Sequence, residues 1–96
     1  MGKKKSIVVS DMNHCWVCGS PYTEVHHILY GGANRRLSDK YHLIIGLCNV
    51  HHRDWKEGVH FNQDLNLTIR RMAQEAFEEH YPELSFREIF GKNYKD

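Results

Sequence analysis

Apolar residues recur at three- and four-residue spacing through Leu65, Ile69, Met72, Ala73, Ala76 and Phe77. That period predicts an amphipathic helix over about 64–80, which Pro82 stops. Ser85-Phe86-Arg87-Glu88 has the form of a capping box and predicts a last short helix ending near Gly91. Before residue 60 the pattern is shorter-ranged. Residues 23–29 (TEVHHIL) and 41–47 (YHLIIGL) read as strands, with the stretch from Gly31 to Arg36 a flexible loop by composition. A short helix fits 50–57, with Asn49 as its N-cap and Gly58 past its end. Cys15-Trp16-Val17-Cys18-Gly19 has the form of a tight turn carrying two thiols, with Gly19 able to take a positive φ. The expected order is therefore a basic arm over 1–12, with a short candidate strand at Ile7-Val8-Val9 and little fixed order. A core over 13–61 follows, then a helical extension over 62–96 that packs on it. The fold class is α+β.

Length sharpens this picture. A chain of 96 residues makes one small domain with a marginal core, and chains of that size often need a metal or another staple. Hydrophobic residues at 41% and charged residues at 26% are ordinary for a globular protein. No apolar run approaches the roughly 18–20 residues of a membrane span. The Lys3-Lys4-Lys5 flank is followed only by Ile7-Val8-Val9, too short for a secretory signal. The expectation is a cytoplasmic protein with no membrane partner. The net charge of +1 makes no general case for nucleic acid, but its distribution is uneven. Residues 1–61 carry eight Lys/Arg against five Asp/Glu, and residues 62–96 carry five against seven. A nucleic-acid surface would lie on the first part.

The chemistry-bearing residues are eight histidines and three cysteines. Cys15-x-x-Cys18 supplies two thiolates, and Cys48-x-x-His51 supplies a second pair at the same spacing. Together they complete a tetrahedral zinc site with no open position, which is a structural site whose binding energy becomes folding energy. The alternative is a buried apolar Cys48 with Cys15 and Cys18 as a redox pair, although the βαβ setting of such a motif is absent. His26 and His27 are adjacent on a predicted strand, so their side chains leave on opposite faces. His51 and His52 are adjacent on a predicted helix, about 100° apart around its axis. His51 can therefore serve the zinc while His52 turns toward the strands. His14 and His80 read as ordinary surface residues. Trp16 and Trp55 read as packing groups.

With those residues in view, the segments Glu24-Val25-His26-His27-Ile28 and Tyr41-His42 through Cys48-Asn49-Val50-His51-His52 resemble the HNH endonucleases of the ββα-metal (His-Me finger) fold. The likeness covers roughly residues 14–60. More narrowly, the chain is similar to short HNH proteins of bacteriophages and prophages, including Gly58-Val59-His60 and a tail ending Phe90-Gly91-Lys92-Asn93-Tyr94. The resemblance implies His26 and His52 as ligands of a catalytic metal and His27 as the general base. His60 is the nearest candidate for a further ligand. His42 stands where the family has its central asparagine, and would orient the loop through hydrogen bonds or bind metal or phosphate.

The implied activity is hydrolysis of DNA phosphodiester bonds, leaving a 5′-phosphate and a 3′-hydroxyl. A histidine suits the base because its pKa of about 6.5 lies near working pH, and a divalent ion can stabilise the leaving oxygen. An imidazole-rich set favours Zn2+, Ni2+ or Mn2+, whereas family members turn over with Mg2+ or Mn2+. Arg35, Arg36, Arg53 and Lys56 are candidates for phosphate contacts, supplemented by Lys3 to Lys5. The rival expectation is a zinc-stapled module that docks DNA or a protein, as an accessory to a phage packaging or recombination machine. That rival explains the four zinc ligands and leaves His26, His27, His52 and His60 without a role. A chain this short would need a partner, such as a second copy in a homodimer, to cut both strands together.

Overall fold

The computed structural model describes residues 5–54, 58–59 and 62–95. Strand β1 (Glu24–His27) pairs antiparallel with β2 (Ile44–Leu47), in a register that sets Glu24 opposite Leu47 and His27 opposite Ile44. Between them runs helix α1 (Asn34–Lys40), and after β2 comes the short helix α2 (Asn49–Arg53). Helix α2 packs against both strands, a ββα unit with one helix inserted in its connection. The chain closes with α3 (Gln63–His80) and α4 (Phe86–Phe90). Among the described residues no helix is long and apolar enough to cross a membrane.

Both strands are shorter than the pattern predicts, and the difference lies in their flanks. Residues 41–43 form a turn and approach to β2, not its first part. His42 is thus not the opening of a strand: it sits at φ 60°, the left-handed region. The stretch read as a loop over 31–36 is half right. Gly31 and Gly32, at φ 91° and 56°, make the bend, but Asn34 already begins α1. What holds that helix is tertiary. Buried Ser38 donates to the Leu29 carbonyl at 2.7 Å and accepts from the Leu29 N–H at 3.0 Å, while Leu37 packs on the core.

The N-cap of α2 is Cys48, with extended backbone, and Asn49 is its first helical residue. The described helix ends at Arg53, ahead of the range expected from sequence, and Gly58 donates its N–H to the Asp54 carbonyl at 2.7 Å. Helix α3 lies almost where the period placed it, with Asn62 accepting from the Leu65 N–H as N-cap. Ser85 caps α4 through the Glu88 N–H, and Gly91 ends it in left-handed conformation.

One core serves the whole molecule. Ile28, Leu29, Leu43, Ile45 and Leu47 from the sheet region join Val59, Ile69, Ala73, Phe77, Phe86 and Phe90 from the later part. Around Phe77 the rings of Tyr41, Tyr81, Phe86 and Phe90 pack mostly edge to face, at centroid distances of 5.2–6.0 Å, the geometry ring quadrupoles favour. The amino-terminal arm is part of this body too. Ile7, Val8 and Val9 form no strand, yet they pack on the core, and the Ile7 N–H bonds the His42 carbonyl at 3.1 Å.

Candidate functional site

The knuckle is built by a turn that the backbone closes on itself. Gly19 donates to the Cys15 carbonyl at 2.8 Å and adopts φ 80°, while the Cys15 N–H bonds the Ser20 carbonyl at 2.8 Å. The Trp16 N–H reaches the Gly46 carbonyl at 3.0 Å and docks the turn on β2. Opposite it, Cys48 at the head of α2 and His51 one turn on present the other pair. The four ligand atoms of Cys15, Cys18, Cys48 and His51 all lie within 4.8 Å of one another. Cys15 Sγ is 3.7 Å from His51 Nδ1, Cys18 Sγ 3.7 Å from Cys48 Sγ, and Cys48 Sγ 3.3 Å from His51 Nδ1.

Tetrahedral zinc, with bonds of about 2.3 Å to sulfur and about 2.0 Å to nitrogen, spaces its ligand atoms roughly 3.5–3.8 Å apart. The residues present fit such an ion, and the group can hold a metal.

The protons on these sulfurs agree with that chemistry. Burial raises the Cys15 pKa, but backbone N–H groups of Cys48, Cys18 and Val17 directed at its sulfur outweigh burial and bring it down to about 6. The Ser20 N–H favours the Cys18 thiolate, yet desolvation and the sulfurs of Cys48 and Cys15 oppose it, and that pKa rises. One thiolate forms readily and discourages the next. A cation removes that conflict. Trp16, 40% exposed between the two cysteines, is less a core residue than its sequence suggests.

A second cluster lies around the end of β1. His26 is buried to 1% exposure, and its ring meets that of His52 edge-on at 5.1 Å and that of Tyr30 at 5.8 Å. Val25, His26, His27, Tyr30, Arg35 and His52 line one cleft of about 230 Å3. Strand alternation does separate the two histidines, His26 inward and His27 outward. The cleft nevertheless wraps the strand end and touches both. A neighbouring open cleft of about 420 Å3 is lined by His27, Gly32, Arg35, Arg36 and Asp39, so His27 and Arg35 border the two together.

Two carboxylates complete the arrangement, and neither was singled out from sequence. Glu24 accepts from His52 Nδ1 at 2.8 Å and from Arg53 Nε at 2.9 Å. The His52 hydrogen bond is the largest influence and lowers the Glu24 pKa; desolvation opposes it, and the Arg53 charge adds to the lowering. A carboxylate on Nδ1 fixes the ring and directs Nε2 elsewhere, the usual support of a metal-binding histidine. Glu24 was legible in principle, because residues i and i+2 of a strand share a face and it stands two before His26. Asp39 lies with Oδ1 3.4 Å from His27 Nε2. Nothing in the sequence pointed to it, since α1 carries it there.

The remaining expectations divide. Arg53 is near the histidines but engages Glu24, with its side chain largely exposed. His42 is exposed and lines neither cleft; its backbone, not its ring, makes the described bonds, from its N–H to Asp39 and to its carbonyl from Ile7. Lys56 and His60 lie outside the described residues, as do Lys3, Lys4 and Trp55. His14 and His80 are exposed, and His14 pairs with Asp11 at 2.8 Å. No protein-family model, curated protein or solved structure matches the chain.

Proposed function

We propose that the protein is a metal-dependent endonuclease of the HNH type that hydrolyses DNA phosphodiester bonds. The observation that carries this reading is the single cleft bordered by His26, His27, His52 and Arg35. A binding module stapled by zinc has no need of three imidazoles bordering one cleft beside an arginine. In this reading the site of Cys15, Cys18, Cys48 and His51 is a structural zinc, and the cleft is where the reaction occurs.

His26 and His52 are the described residues that would hold a divalent ion, with His60 as a further candidate ligand. Such an ion, bound there, would polarise the phosphate and stabilise the leaving 3′ oxygen. Glu24 holds His52 in the tautomer that keeps Nε2 as a ligand atom. Asp39 stands at one ring nitrogen of His27, which leaves the other to take a proton from the attacking water. The water oxygen joins phosphorus, the bond to the 3′ oxygen breaks, and that oxygen leaves with a proton as the 3′-hydroxyl. Arg35 and Arg36 face the flanking phosphates from the adjoining cleft.

The test is nicking of a supercoiled plasmid in Mg2+, Mn2+, Ni2+ or Zn2+ by zinc-loaded protein. His27→Ala should lower the rate by about 100-fold or more, and Glu24→Gln by about 10- to 100-fold, with the structural zinc retained in both. Undiminished cleavage by His27→Ala would sink the assigned base. Absence of cleavage by the folded wild type on any nucleic acid, across those metals, would favour the binding module.

A further inference from the structure

The tail motif Phe90-Gly91-Lys92-Asn93-Tyr94 has no part in the chemistry above, yet it is held to α3 by specific bonds. Buried Gln74 donates to Asn93 Oδ1 at 2.7 Å and accepts from the Tyr94 N–H at 2.7 Å. Arg71 Nε donates to the Tyr94 carbonyl at 2.9 Å. These contacts fix where the Tyr94 ring lies. Against that ring rests the Arg70 guanidinium, 5.4 Å from its centroid, with Nη1 3.3 Å from the Tyr94 hydroxyl.

The same guanidinium lies 4.9 Å from the centroid of Tyr30. Arg70 is therefore shared between two tyrosine rings, an arrangement in which a planar cation is attracted by both π faces. Its Nε is buried and makes no hydrogen bond among the described residues. Asn66, one turn before Arg70, donates to the Tyr30 hydroxyl at 3.3 Å. Tyr30 in turn borders the histidine cleft and meets the His26 ring edge-on.

We infer that Arg70 and Tyr94 are positioning residues for the cleft, holding Tyr30 as the wall that sets the orientation of the His26 imidazole. The stack runs Tyr94, Arg70, Tyr30, His26, and links the irregular segment after α4 to a proposed metal ligand. Its consequence for catalysis rests on the nuclease reading, whereas the stack and its effect on the His26 ring do not. The C-terminal extension is then part of the working site as well as of the core.

The experiment follows the assigned His26 ring resonances by NMR in full-length, zinc-loaded protein. Arg70→Met and Tyr94→Leu should each move them. Val8→Ala trims core packing from the amino-terminal arm, which carries no member of the stack, and should leave them in place. In a parallel Ni2+ titration of the zinc-loaded protein, Arg70→Met should weaken binding in the cleft about tenfold. Unmoved His26 resonances in both stack variants would overturn the inference, and so would equal movement in Val8→Ala. Tyr94→Leu, on the partly exposed side, keeps the test decisive if Arg70→Met folds poorly. A wild type that cuts no DNA would remove the nuclease reading and leave this inference to stand or fall on the spectra.

Discussion

His42 shows how one residue can matter through its backbone. At φ 60° it turns the chain from α1 into β2, donating to the Asp39 carbonyl at 3.3 Å and accepting from the Ile7 N–H at 3.1 Å. Left-handed backbone costs an L-residue about 1–2 kcal/mol. Asparagine, aspartate and histidine occupy it more readily than others, and β-branched residues least. His42→Asn should therefore hold stability to within about 0.5 kcal/mol and leave any cleavage activity intact, whereas His42→Val should lose about 1–2 kcal/mol. Denaturant unfolding of the three proteins checks the first part and plasmid nicking the second. Loss of cleavage in a stable His42→Asn would assign the ring a chemical role.

At the scale of elements, α1 decides how much of the cleft exists. It carries Arg35, Arg36 and Asp39, and only seven residues, too few to be stable alone. Its anchor is the Ser38 hydroxyl, which serves both backbone groups of Leu29 where the chain leaves β1. Ser38→Ala would strand a buried N–H and carbonyl together, a loss of about 1–3 kcal/mol. The expected result is that stability penalty in denaturant unfolding. With it should come faster amide exchange over 34–40 and, on the proposed nuclease reading, weaker DNA binding as the two arginines lose their fixed place. The knuckle and β2 should keep their protection, because Trp16 docks there independently on Gly46.

At the scale of the whole molecule, a metal held at the knuckle would share the work of folding with the core. Sheet, α2 and knuckle meet at the group of Cys15, Cys18, Cys48 and His51, while α3 and α4 close the other side through Phe77, Phe86 and Phe90. Structural zinc contributes about 10–16 kcal/mol in small zinc-binding peptides near neutral pH, comparable to the whole stability of a domain of this size. Cys48→Ala should lose the tightly held zinc and with it the cooperative unfolding transition, and chelation should do the same to the wild type. His52→Ala should keep one equivalent of zinc and the fold. Metal analysis beside thermal unfolding separates the two.

Local pattern alone determined the long helix α3, the capping of α4, the positive φ of Gly19 and the two half-sites Cys15-x-x-Cys18 and Cys48-x-x-His51, because period, capping chemistry and ligand spacing act over a few residues. It also brought His26, His27 and His52 forward as candidates. Tertiary structure alone decided that α1 is a helix, that Ile7, Val8 and Val9 pack on the core, and that Asp39 and Tyr30 stand beside the histidines. Those facts depend on which side chains meet across the fold, on a buried hydroxyl finding its backbone partners and an arginine finding two rings, and no run of neighbouring residues encodes them.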